Sequence, residues 1–222
     1  KINDICFFST STIISATHDA KIILSDIRTG KCLEKIGNNS NINLMRSNSL
    51  NTDNNRIHVP LMFSDSVQGI AMKNEYVVVT TCLDGAIRQL DLRMGKIICD
   101  IIPVQIKGND KLIPSLNSLS ISMDHNYALV SDLNSTLHLV NISNDEITDG
   151  AKIIKRYNGH KNTSTYILSN FMFNDEFIIS GTEYLLLNNN SNDDFGFHIW
   201  DINNPSIKQT IPLPSSVRNN NS

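Results

Sequence analysis

A short unit recurs four times along this chain, and such a repeat restricts the fold to architectures that stack equivalent units against one another. In each copy a strand rich in β-branched residues leads to a turn with Asp or Asn, and a second Asp or Asn follows seven residues later. The four pairs are Asp19 and Asp26, Asp84 and Asp91, Asn134 and Asn141, and Asp194 and Asp201. Their spacing leaves room for a β-propeller blade of about 40–45 residues plus an insertion. The sequence therefore predicts an all-β chain made of propeller blades.

Four consecutive four-stranded blades of a larger propeller are predicted. We place them at 1–36, 67–102, 115–157 and 158–213, with linkers at 37–66 and 103–114 and a disordered tail at 214–222. Because the strand pattern is already under way at Lys1, we expect the chain to be a piece of a longer product that starts in mid-propeller. A closed ring of four blades is the alternative, and Pro212, Pro214 and the Asn-rich tail argue against it.

Stretches rich in Asn and Ser interrupt the repeat pattern. They lie at 37–56, at 184–193 inside the fourth blade and at 219–222. We interpret them as tolerated surface insertions, because lengthening a loop costs only a few tenths of a kcal/mol. Prion-like segments that mediate interactions are the alternative interpretation.

The composition argues against several classes of partner. A net charge of −3 is unlike the basic surface of nucleic-acid-binding proteins, so we expect no direct nucleic-acid contact. The four cysteines have no CxxC spacing and fall within predicted strands, where they are interpreted as small buried side chains. These are Cys6, Cys32, Cys82 and Cys99. No apolar run is long enough to span a bilayer, and we expect no membrane partner.

Catalytic and cofactor motifs are absent from the sequence. It contains no Gly-rich phosphate loop, nucleophile elbow or HExxH helix. His18 and Asp19 are adjacent, but no further ligands follow at metal-binding spacing. We therefore predict no catalytic residue, no metal, no cofactor and no small-molecule substrate.

The segment 84–96, Asp-Gly-Ala-Ile-Arg-Gln-Leu-Asp-Leu-Arg-Met-Gly-Lys, resembles the fourth blade of the mitogen-activated protein kinase organiser family of seven-bladed WD-repeat propellers. Residues 131–139, Ser-Asp-Leu-Asn-Ser-Thr-Leu-His-Leu, resemble the next blade. Residues 157–162, Tyr-Asn-Gly-His-Lys-Asn, resemble the family's linker into its sixth blade. These segments occur in the family's order, and the resemblance covers most of the chain outside the Asn-rich stretches. It implies that the chain contains blades three to six.

The resemblance implies a scaffold rather than an enzyme. The family is associated with MAP-kinase modules and with the catalytic-stage spliceosome. The implied partners are therefore spliceosome components or kinase-module members, in the cytoplasm and the nucleus. The chain departs from the family pattern in its insertions and in its repeat-ending Trp. That residue is present only as Trp200, and Ser25, Leu90 and Val140 take its place elsewhere.

One complete hydrogen-bonded tetrad of the WD-repeat type can be assembled, from His160, Ser180, Asp194 and Trp200. The imidazole is expected to donate to the turn carboxylate, and the hydroxyl and the indole N–H to extend the network. Glu183 is an alternative to Asp194, since the insertion leaves the hairpin register open. Ser, His and Asp also form hydrolase triads, but no oxyanion hole is signalled, so the structural role is favoured.

Three arginines are predicted to contact partners: Arg28, Arg88 and Arg93. Arg is favoured at binding hot spots, and the last two lie in the segment that best matches the family. Two of the three belong to Asp-x-Arg boxes, Asp26-Ile27-Arg28 and Asp91-Leu92-Arg93. Such boxes resemble the motif by which some WD-repeat proteins dock onto the adaptor of cullin ubiquitin ligases. The alternative is that each Arg caps its own turn or pairs with a neighbouring blade.

Overall fold

The computed structural model of the protein describes residues 1–37, 63–107, 110–143, 153–183, 196–206 and 208–212. The regular secondary structure in these ranges consists of β-strands, without a helix, which confirms the predicted all-β fold class. None of the described residues forms a helix that could cross a membrane. Asp194, the insertion at 184–193, the tail at 214–222 and most of the stretch at 37–56 lie outside the described residues.

Four sheets of four strands each form the blades. The first blade contains β1 (Ile2–Phe7), β2 (Thr12–Thr17), β3 (Lys21–Asp26) and β4 (Lys31–Gly37). The second contains β5 (Val67–Met72), β6 (Val77–Cys82), β7 (Ile87–Asp91) and β8 (Lys96–Ile101). A two-stranded hairpin of β9 (Gln105–Lys107) and β10 (Asp110–Leu112) follows, inside the predicted linker at 103–114. The third blade contains β11 (Leu116–Ile121), β12 (Tyr127–Asp132), β13 (Thr136–Asn141) and β14 (Ile153–Asn158). The fourth contains β15 (Ser169–Met172), β16 (Phe177–Gly181), β17 (Gly196–Asp201) and β18 (Lys208–Pro212).

Each blade is an antiparallel meander whose strands pair in chain order. The turns after its first and third strands therefore lie at one end of the blade, and the turn after its second strand lies at the other. We call the first set the lower rim, formed by 8–11, 27–30, 73–76, 92–95, 122–126, 173–176 and 202–206. The upper rim is formed by 18–20, 83–86, 133–135 and the end of β16.

Neighbouring blades pack face to face, and the core is divided among their three interfaces. Val78 and Val79 are adjacent in β6, so their side chains point to opposite faces of the sheet. Val78 packs with Ile14 and Ile22 of the first blade, whereas Val79 packs with Val130 and Val140 of the third. The continuous β-branched run of β6 thus follows from its burial on both faces.

The innermost strands carry much of the contact between blades: β1 meets β5, β5 meets β11, and β11 meets β15. Gly69 of β5 is required at the second of these contacts. A Cβ atom there would lie 2.7 Å from the Cβ of Leu119 and 2.7 Å from the Thr81 hydroxyl oxygen. Only glycine allows the two inner strands to approach so closely.

The upper-rim turns share one backbone shape. The dipeptide Asp84–Gly85 predicts a type I′ turn, which needs positive φ at both central residues. Only Gly85 has it, with φ of 87°, and the corresponding Ala20 and Ser135 have φ of 58° and 63°. The type I′ prediction is therefore wrong. A three-residue loop that ends in one left-handed residue explains why Asp84 keeps an ordinary conformation.

Candidate partner-binding rims

At the upper rim, a carboxylate in or beside the second-to-third-strand turn fastens the segment that leads into the same blade. In the second blade, Asp84 Oδ2 accepts hydrogen bonds from the Ser64 amide (3.2 Å) and the Ser64 hydroxyl (2.8 Å). Ser64 lies just before β5, so the turn holds the approach of the chain to its own inner strand. Hydrogen bonds to a charged acceptor are the stronger kind, which makes this contact an anchor for the blade.

In the third blade, Asp132 fastens the preceding segment. It lies two residues before Asn134, which is the position equivalent to Asp84. Asp132 Oδ2 lies 2.6 Å from Gln105 Nε2 and 2.8 Å from His138 Nε2. Its Oδ1 accepts from the amides of Asn134 and Thr136, both at 2.9 Å. Asp132 and His138 are completely buried. The repeat pattern assigned the turn to Asn134, whereas the structure gives the anchoring role to Asp132.

In the fourth blade the anchor is Glu183, the alternative considered for the tetrad. Its carboxylate accepts from the Thr163 hydroxyl (2.6 Å), the Ser164 amide (2.6 Å) and the amide and hydroxyl of Thr165. Burial alone would raise the pKa of Glu183, but these hydrogen bonds outweigh it and hold the pKa well below its usual range. Glu183 therefore remains ionised and ties the segment after His160 to the end of β16.

Of the other three tetrad residues, His160 and Trp200 are in contact, and Ser180 pairs with His198, two residues before Trp200. The His160 ring lies edge-on to the indole, 5.7 Å between centroids at 82°. The indole N–H donates to the Asn158 carbonyl (3.2 Å), and the Ser180 hydroxyl donates to the Gly181 carbonyl (3.1 Å). The predicted network linked the Ser180 hydroxyl and the Trp200 indole to the imidazole and the turn carboxylate. Each of them donates instead to a backbone carbonyl. His160 and Ser180 are 4% and 1% exposed, so neither is open to a substrate.

Arg88, predicted to contact a partner, lies instead inside a structural cluster. Its guanidinium is 2.9 Å from Asp84 and 3.2 Å from Asp100, and it lies over the Phe63 ring at 5.5 Å. The side chain is only 12% exposed. Burial alone would raise the pKa of Asp84, but hydrogen bonds from Arg88 and Ser64 lower it to about 2. Arg88 thus stabilises the second blade from within, and its contact with a partner stays a prediction.

The stability of the second blade is expected to depend on pH through Asp84. Its pKa is lower in the folded protein than in the unfolded chain, so the stabilisation is complete above pH ~4 and is lost as the pH falls toward 2. The shift corresponds to about 2 kcal/mol. Asp84→Asn should therefore lose less stability than wild type between pH 5 and pH 2, as measured by urea unfolding followed by circular dichroism. Parallel pH profiles for the two proteins would contradict this assignment.

Arg93 lies on the lower rim and is both fixed and accessible. Its Nη2 is 2.8 Å from Asp91 Oδ2, and its guanidinium lies over the Tyr76 ring, 4.3 Å from the centroid. Its side chain is nevertheless 61% exposed. Arg28 is 75% exposed and lies 3.9 Å from Asp26. The two Asp-x-Arg boxes therefore occupy equivalent turns, and the second is the more tightly organised.

Sequence reasoning missed three of these residues. Gln105 lies in the predicted linker and His138 belongs to no predicted site, yet both bind Asp132. Tyr76 gave no signal as the platform for Arg93. In the first and third cases the partners are 27 and 17 residues apart, so only the folded chain brings them together. Among the described residues, no group of three His, Cys, Asp or Glu side chains is arranged to hold a metal.

The comparisons with known proteins agree on the type of repeat. The chain is 30% identical over 159 residues to an uncharacterized WD repeat-containing protein of Schizosaccharomyces pombe, covering 72% of this chain and 43% of that protein. It is 34% identical over 108 residues to the Dictyostelium discoideum homologue of WD repeat domain-containing protein 83, covering 48% and 28%. These relatives and the four-bladed fold support a WD-repeat protein. No family model matches the chain.

Two further matches extend this result. The chain is 24% identical over 144 residues to the Rattus norvegicus WD repeat domain-containing protein 83, covering 65% of this chain and 38% of that one. The crystal structure of the computationally designed Ika4 protein has a TM-score of 0.55 and 16% identity, with 91% of each chain covered. That likeness concerns the fold alone. The matches span less than half the length of each of these curated relatives.

Proposed function

We propose that this WD-repeat chain is part of a non-catalytic scaffold whose rims bind several proteins at once. Its resemblance to the mitogen-activated protein kinase organiser family favours work in pre-mRNA splicing, in MAP-kinase signalling or in both. The partners are then spliceosome components or kinase-module members, in the cytoplasm and the nucleus. Direct nucleic-acid, membrane and small-molecule binding form no part of the proposal.

The observation that carries the proposal is the arrangement around Arg93. Asp91 holds the guanidinium from one side and the Tyr76 ring supports it from beneath, so its orientation is set before any partner arrives. Met94 beside it is 53% exposed. Binding costs less conformational entropy when the contact residue is already ordered. Tyr and Arg are also the residue types that dominate binding energy at protein interfaces.

Arg93→Ala is therefore expected to weaken a partner by about tenfold or more while leaving the fold intact. The measurement is affinity purification of the full-length protein followed by quantitative mass spectrometry. Arg28→Ala is the comparison variant: it removes the same residue from the equivalent turn, where the guanidinium lies farther from its Asp, and it should weaken a partner less. Unchanged partners in Arg93→Ala, or a lowered melting temperature, would count against the proposal.

The same purification, with and without nuclease, distinguishes a role in pre-mRNA splicing from a role in MAP-kinase signalling. Late-stage splicing factors that survive nuclease treatment would indicate a protein-held role in pre-mRNA processing. Kinases without splicing factors would indicate assembly of a signalling module.

A second candidate function is that of a substrate receptor for a cullin-type ubiquitin ligase. The favouring observation is that both Asp-x-Arg boxes have one geometry: the Asp carboxylate accepts from the amide of the Arg two residues later, at 2.8 Å in each box. Both Arg side chains remain mostly exposed. The double variant Arg28→Ala, Arg93→Ala should then lose a cullin adaptor. If the adaptor is absent from the wild-type sample, this candidate is rejected.

A further inference from the structure

A groove of about 530 Å³ lies on the lower rim, along the seam between the third and fourth blades. Its apolar lining comes from Tyr127, Leu139, Ile154 and Ile202. Ile154, on the outer strand β14, is 44% exposed. This volume falls within the range of about 300–1,000 Å³ that is usual for ligand clefts. The seam therefore offers apolar surface that the packing of the two blades has not used.

Two carboxylates stand at the rim of this groove, one from each blade. Asp175 Oδ2 accepts from the Met123 amide (2.7 Å) and so joins the two blades across the seam. Asp124 accepts from the Ser122 hydroxyl (2.6 Å) and the Asn126 amide (3.0 Å). These bonds lower the pKa of Asp124, which remains ionised at neutral pH.

The cation that lines the groove, Lys155, is occupied by the protein itself. Its ammonium donates to the carbonyls of Ile202 (2.8 Å) and Asn203 (3.1 Å), which holds the turn after β17 in place. The adjoining Glu176 is exposed and adds a further negative charge beside the rim. Asp124, Asp175 and Glu176 together outweigh the single ammonium of Lys155, so the mouth of the groove carries a net negative charge.

Phe173, next to the groove residues Asn174 and Asp175 on the same turn, has an unusual backbone. Its φ is 50°, in the left-handed region that bulky residues rarely adopt. The ring is 70% exposed and lies edge-on to Phe177, with 6.2 Å between centroids at 87°. Strained backbone of this kind is concentrated at binding sites, because the rest of the fold must hold it.

We propose that this groove binds a linear segment of a partner protein in which a Lys or Arg stands next to an apolar side chain. The apolar side chain packs against Tyr127 and Ile154, and the basic side chain pairs with Asp124 and Asp175. Complementary charge then fixes the register of the segment along an otherwise apolar seam. The inference rests on the proposed scaffold role and supplies that scaffold with a docking surface separate from Arg93.

A random library of twelve-residue peptides displayed on phage tests the inference directly. Selection on the wild-type protein, with counter-selection on the double variant Asp124→Asn, Asp175→Asn, should enrich peptides that carry a basic residue beside an apolar one. Asn keeps an oxygen acceptor for the bonds from Ser122 and the Met123 amide, so the turns are expected to fold as before. Selected peptides should bind the double variant about tenfold more weakly.

Glu75→Gln is the matched control, because Glu75 is an exposed carboxylate on the lower rim of another blade. It should leave peptide affinity unchanged, as should Arg93→Ala. Ile154→Thr should weaken every selected peptide, whatever its charge. No enrichment, or peptides that bind wild type and the double variant equally, would overturn the inference. That failure would leave the effect of Arg93→Ala on partners untouched, so the two proposals can fail separately.

Discussion

Replacing Asp132 with Ala is expected to lower the free energy of unfolding by about 3–5 kcal/mol, because several buried donors lose their acceptor and each costs about 1–3 kcal/mol. The change leaves the Gln105 amide, the His138 imidazole and the amide of Thr136 without their common acceptor. All of this occurs at a site from which water is excluded, since Asp132 and His138 are fully buried. Each unsatisfied group then pays its own desolvation penalty.

Urea unfolding followed by circular dichroism measures this loss. Asn134→Ala is the informative control, because the repeat pattern places the turn residue there and the structure gives its side chain no part in the anchor. It should cost less than about 1 kcal/mol. Equal losses for the two variants would show that the turn as a whole, rather than the Asp132 carboxylate, secures the blade.

Trp200→Ala is expected to have an effect of similar size, about 3–5 kcal/mol. Trp200 is completely buried, and its ring meets Tyr157 and His160 at centroid distances of 6.4 and 5.7 Å. Removing it leaves a large cavity at the interface between the third and fourth blades. The indole N–H also donates to the Asn158 carbonyl, so this acceptor loses its donor.

Trp200→Phe separates these two contributions. Phe restores most of the apolar volume but cannot donate to Asn158, and it should recover about half of the lost stability. Thermal unfolding monitored by circular dichroism compares the three proteins. If Trp200→Ala has the same melting temperature as wild type, the interface does not depend on this ring.

Much of the fold could be predicted from the sequence because its signals are local. A β-branched run such as Val77–Cys82 identifies a strand that is buried on both faces. The recurring turn residues separate the strands into blades, and the position of Trp200 identifies the interface that it fills. Each of these inferences needs only residues that are close together in the chain.

The anchors could not be predicted so well because their partners are distant in sequence. Arg88 looks like a surface arginine until Asp84, Asp100 and the Phe63 ring are brought around it. In the third blade, Asp132 rather than Asn134 serves as the anchor, since Gln105 reaches it from the preceding hairpin. Local pattern gives the period of the repeat, whereas burial and long-range pairing decide which polar residue in each turn matters.

The position of Glu183 has a consequence for how this chain can diverge. The residue comes before the Asn-rich stretch at 184–193, and its partners lie at 163–165. Residues gained or lost after Glu183 therefore do not separate the carboxylate from the groups that it binds. The length of the connection between β16 and β17 can therefore change without loosening this anchor of the fourth blade.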